Sequence, residues 1–121
     1  LVKGPDQRGA ALNDLGIALK IFGDRDRTPA KLQAAVDAYT LALLEWTRER
    51  VPMDWAMTQN NLGNICCARF DLTSDPADLD LAQSHLDAAI AVFTDAGADR
   101  YLTIASNIQA AIDTRRAALA P

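Results

Sequence analysis

Three groups of residues in this 121-residue chain are of the types that do chemistry. Cys66 and Cys67 are adjacent, His85 is the single histidine, and Asp71, Asp75, Asp78 and Asp80 crowd the stretch DLTSDPADLD. A zinc site draws its ligands from pairs at short spacing, and beyond these two cysteines the chain offers one histidine and no second pair. A nucleophilic thiol needs a neighbouring charge that favours the thiolate, whereas the cysteines are flanked by Ile65 and Ala68. The aspartates lack the glycine and the terminal glutamate of a calcium loop, and helix capping with dipole pairing explains them. The matching loop in the first half, GDRDRTP, alternates in sign, so no cation site repeats. Gly16 and Gly63 each lack the second glycine of a phosphate cradle, which leaves close helix approach as their expected role. The expectation is a chain without catalytic residues, metal or cofactor.

A second kind of chemistry is recognition, and here the stretch MTQNNLGN, Met57 to Asn64, stands out. Its three asparagines lie in an otherwise helix-patterned segment, although the short amide competes with the backbone for hydrogen bonds and weakens a helix. Composition narrows what such residues could meet. Half the residues are apolar and 23% are charged, the balance of a folded domain. A formal charge of −4, with no run of Lys and Arg, disfavours nucleic acid. No apolar stretch has the roughly 20 residues of a membrane helix, and no signal segment opens the chain. Two cysteines about 100° apart on one helix make a mutual bridge strained, and reduced thiols suit a cytoplasmic protein. Because Leu1 is not an initiator methionine, the chain is expected to be a fragment of a longer protein.

The elements that position these residues follow from an internal repeat. Aligning LNDLGIAL on NNLGNICC at Leu15/Leu62 and Gly16/Gly63 gives an offset of 47 residues. The same offset carries Leu32 onto Leu79, Ala35 onto Ala82, Tyr39 onto Leu86, Ala42 onto Ala89, Leu43 onto Ile90 and Trp46 onto Phe93. A third copy begins at SNIQA, where Ile108 falls 46 residues after Leu62. Apolar residues recur at three- and four-residue spacing throughout, which predicts helices. Gly23, Thr28-Pro29, Val51-Pro52, Asp75-Pro76 and Gly97 punctuate them. Five helices are expected, near 5–22, 29–49, 53–70, 76–96 and 99–119. They form one domain with a first repeat at 5–50, a second at 52–97 and a terminal helix at 99–119. Trp46, Trp55, Tyr39 and Phe93 fit the apolar stripes and are expected in the core, and His85 is expected as a partly buried packing residue.

NNLGN followed by a second helix reading LQAAVDAYTLAL resembles the tetratricopeptide repeat, and TRERVPMDWAMTQNNLGN resembles its long bacterial variant. The standard unit is about 34 residues, and the extra length falls at helix ends and loops. The resemblance implies an all-α right-handed superhelix of about two and a half repeats, a scaffold found in arrays within larger signalling or regulatory proteins.

Stacked repeats present their first helices on a concave wall. On α-helical angles, Trp55, Leu62, Ile65, Cys66 and Arg69 form a stripe facing the paired helix, while Met57, Asn60, Asn61 and Asn64 lie opposite. The repeat register adds Asn13 and Asp14, and Thr103, Ser106 and Asn107, to one polar lane. Its amides could hydrogen-bond a peptide backbone, or bond between neighbouring helices. Related domains that clamp a C-terminal carboxylate use Lys and Arg with Asn in this lane, and here those sites read Asn, Met, Thr, Ser and Asn, which argues against such a clamp. A protein or peptide partner in the groove is the expected function. The rival expectation is a structural spacer or a homo-oligomer formed through exposed end helices.

Overall fold

The computed structural model describes residues 4–119. They form five α-helices: α1 (Pro5–Asp26), α2 (Pro29–Glu45), α3 (Pro52–Thr73), α4 (Pro76–Asp95) and α5 (Asp99–Leu119). Among the described residues the chain is all-helical, as the periodicity requires.

Four of the five helices open on proline within the first turn, where the missing N–H has no intrahelical partner to lose. Asp75 caps α4 by accepting from the Ala77 N–H at 3.0 Å, whereas Thr28 makes no such bond at the start of α2. Three helix ends depart from the sequence reading. α1 runs through Gly23 to Asp26 and stops at Arg27, which takes the left-handed conformation at φ 52°. α3 continues to Thr73 and stops in the same way at Ser74, φ 59°. α2 ends four residues early, at Glu45. Gly23 was a poor stop signal because a packing demand, and not a turn, explains it.

That demand is visible along the whole α1–α2 contact. Gly9, Gly16 and Gly23 are spaced by seven residues on α1 and are all buried. A Cβ on each would stand 2.5 Å from Trp46, 2.5 Å from Tyr39 and 2.6 Å from Leu32 respectively. Those three partners, Leu32 and Tyr39 on α2 and Trp46 just past its end, are also spaced by seven, in reverse order, so the helices are antiparallel and each glycine forms the hole for one large side chain. In the second pair Gly63 instead brings the backbones together, with its Cβ position 3.3 Å from the Ala82 carbonyl oxygen.

The helices form two layers. α1 and α5 both touch α3 but not each other; α2 packs against α1 and α3, and α4 against α3 and α5. One buried cluster joins Leu32, Ala35 and Tyr39 of α2 to Leu62 and Ile65 of α3. The other joins Ala56, Cys66 and Cys67 to Ala82, Leu86, Ala89 and Phe93 of α4 and to Ala105, Ile108 and Ile112 of α5. Tyr39 and Phe93 are core residues as expected. Trp46 and Trp55 are only partly buried: Trp46 lies over Gly9 and Trp55 lies under the Arg48 guanidinium at 5.4 Å.

Candidate functional site

α3 is the middle helix of its layer, and its neighbours decide which of its residues can meet a ligand. Thr58 and Asn61 face α1, since both donate to Asn13 Oδ1, at 3.4 and 3.2 Å. Leu62 and Ile65 face α2, Gly63 faces α4, and Asp71 receives the Arg115 guanidinium of α5 at 2.8 and 2.7 Å. At about 100° per residue these contacts surround most of the helix and leave a strip about 80° wide between Asp71 and Asn61. Met57 and Asn64 occupy that strip and are exposed, Met57 at 38%.

The asparagines of MTQNNLGN therefore have three different surroundings. Asn64 is open to solvent. Asn61 is partly buried and its amide is engaged by Asn13 across the α1–α3 seam. Asn60 is 8% exposed, at the buried edge of the strip beside the cluster that includes Ala56 and Cys67. The helical angle alone places all three on one lane. A single-helix projection does not register that α1 and α5 close in from both sides.

Of the remaining lane residues, Asp14, Thr103, Ser106 and Asn107 are exposed and Asn13 is partly buried. Thr103 Oγ1 donates to the carbonyl of Asp99 within its own helix, at 3.1 Å. Ser106 lies about 180° around α5 from Arg115, and so turns away from α3. Asn107 sits closer to the α3 side.

Aliphatic residues that sequence reasoning did not single out flank the strip. Ile17, one turn from Asn13, and Ile21, a turn further, are exposed on α1. Ile104, three turns before Arg115 on the same face of α5, is also exposed. The register contains one usable signal for them: Ile17 stands 47 residues before Asn64. The floor of the strip is thus a thioether and an amide between aliphatic walls.

The residues of the types that do chemistry are buried or engaged by neighbouring side chains. Cys66 and Cys67 are free thiols inside the core; burial pushes Cys66 up to about 11, and Cys67 up as well, so neither supplies a thiolate near neutral pH. His85 is partly buried, as expected for a packing residue, and burial together with the Arg69 charge lowers its pKa. With its proton on Nδ1, the neutral ring donates to Gln59 Oε1 at 2.7 Å. The four aspartates are all engaged: Asp71 with Arg115, Asp75 at the α4 cap, Asp78 with Arg69 Nε and Thr73 Oγ1 at 2.9 Å each, and Asp80 with Arg116. Among the described residues no group of three or more His, Cys, Asp or Glu side chains is placed to hold a metal ion. No helix among them is long and apolar enough to cross a membrane.

Models of known protein families, curated proteins and solved structures were all compared with the chain, and none of them matches it.

Proposed function

We propose that this chain is a protein-recognition module of the tetratricopeptide-like kind, a non-catalytic segment of a right-handed helical superhelix that holds a peptide or partner segment along the open strip of α3. The observation that carries this reading is the strip itself. A helix enclosed by four neighbours nevertheless keeps Met57 and Asn64 open between the aliphatic walls of α1 and α5. A flexible thioether adapts to apolar ligand side chains, and the Asn64 amide offers both donors and an acceptor to a peptide backbone. The superhelical part of the reading draws support from the register. The same 47-residue offset that relates the two halves relates Gly16 over Tyr39 to Gly63 near Leu86.

The test is selection from a random-peptide display library against the full chain, followed by Met57→Glu and Asn64→Ala. Selected peptides should bind at least tenfold more weakly to Met57→Glu, equivalent to about 1.4 kcal/mol. Peptides indifferent to both changes would place the binding surface elsewhere and remove the basis of the reading.

A further inference from the structure

The two helix pairs close differently at the end where the second helix of each finishes beside the start of the first. In the α1–α2 pair that end is held by ion pairs: Arg8 Nε lies 3.1 Å from Glu45 Oε1, and Arg50 pairs with Asp6. Moved forward 47 residues, Asp6, Arg8, Glu45 and Arg50 become Met53, Trp55, Val92 and Gly97. None of the four charges is kept. The corresponding end of the α3–α4 pair is a cavity of about 280 Å³, lined by Arg48, Pro52, Met53, Val92, Asp95 and Ala96. Met53 is partly buried and Val92 is buried, so both belong to the apolar wall, whereas Arg48 and Asp95 are exposed.

We propose that this cavity binds a free aliphatic α-amino acid in its zwitterionic form, a site separate from the open strip of α3. Each part of the ligand follows from a part of the wall. Arg48 and Asp95 enter no ion pair among the described residues, with each other or with any other side chain. The Arg48 guanidinium lies over the Trp55 ring at 5.4 Å, a contact that restrains it while its planar fork of donors stays available to a carboxylate. Asp95 is the last residue of α4, whose final turn carries no basic side chain. Its carboxylate and the negative end of the helix dipole therefore act together on a cation. Between the two charges stand Met53, Val92 and Pro52, which suit a short aliphatic side chain. The volume sets the size: it lies at the lower edge of the roughly 300–1,000 Å³ of small-molecule pockets, room for a single amino acid and not for a longer peptide.

The probe is L-leucine, titrated into the full ¹⁵N-labelled chain and followed by amide chemical shifts. The Met53, Val92 and Ala96 signals should move and saturate, with half-saturation at about 1 mM or below. Two analogues separate the charges: leucine amide lacks the carboxylate and 4-methylpentanoate lacks the ammonium, and each should bind at least tenfold more weakly. Glycine, which keeps both charges without the side chain, should also bind more weakly. On the protein, Arg48→Gln and Asp95→Asn should each weaken leucine at least tenfold, and both positions are exposed, so the variants should keep the parent circular dichroism. Asp37→Asn, which removes the same charge from an exposed position of α2, should leave the titration unchanged. Shifts that fail to saturate by about 10 mM leucine would overturn the proposal. Leucine amide or 4-methylpentanoate binding as well as leucine would also overturn it, as would leucine binding indifferent to both Arg48→Gln and Asp95→Asn. The analogue comparison uses the unaltered chain, so it decides the matter even if a variant folds poorly.

Discussion

Replacing Gly16 by alanine tests the glycine-hole account of the α1–α2 contact, because two effects of opposite sign meet at one methyl group. In an exposed helix the change would stabilise by about 1 kcal/mol through propensity alone. Here the new Cβ would stand 2.5 Å from Tyr39 Cε1 and 2.6 Å from its Cδ1. Ordinary carbon contacts are about 3.5–4.0 Å, so the ring or the helix must give by about 1 Å. Tyr39 is 1% exposed and has nowhere to swing. Overpacking of this kind costs about 1–3 kcal/mol, and an immobile ring puts the cost at the upper end. The net expectation is a loss of about 1–2 kcal/mol, read as a fall in Tm of about 5–10 °C or as a lower denaturant midpoint at constant m-value. Tyr39→Leu installs the residue that the second repeat carries at this position, and the double variant should recover part of the loss. The expected coupling in the double-mutant cycle is about 1–2 kcal/mol. Gly63→Ala, whose Cβ would meet the Ala82 carbonyl oxygen at 3.3 Å, should cost less than Gly16→Ala. If Gly16→Ala raised stability by the full helix-propensity increment, the reasoning would be refuted.

Three further outcomes are expected. Arg69 and Asp78 form an ion pair that is largely buried, at 2.9 Å, with Thr73 and Gln33 completing it; Arg69→Ala should destabilise by about 3 kcal/mol in chemical denaturation, and Arg69→Met with Asp78→Leu by much less, because the single change strands a buried charge. The His85 pKa is lowered in the fold, so the unfolded chain takes up this proton first as the pH falls; stability should decline below about pH 6.5 and then level off below the folded pKa, and His85→Gln should flatten that slope in urea titrations across pH 5–8. Asn61→Ala should lower stability by about 1 kcal/mol through loss of its bond to Asn13, whereas Asn64→Ala should leave the melt unchanged and affect ligand binding alone, a contrast that thermal denaturation of the two variants resolves.

Much of the helical framework was written in local pattern. Apolar residues at three- and four-residue spacing, with proline at the helix starts, produced five helices whose starts agree closely with the structure. The ends were harder. Gly23 read as a stop because glycine so often closes a helix, yet in the structure it is a hole for Leu32 and the helix passes through it. The heptad of Gly9, Gly16 and Gly23 was present in the sequence, but its meaning depends on Trp46, Tyr39 and Leu32 standing opposite.

The site divides in the same way. Helical spacing alone sets asparagines and a methionine off the apolar stripe of α3, because the helical period is a property of the backbone. Which of them stays open was a tertiary decision. α1 engages Asn61, the packing of α5 and the buried cluster hides Asn60, and the gap between them exposes Met57 and Asn64 with Ile17, Ile21 and Ile104 as walls. One helix projected on a wheel carries the direction of every side chain but not the number of neighbours around it, and it is the neighbours that turn a polar face into a seam, an interior or a surface.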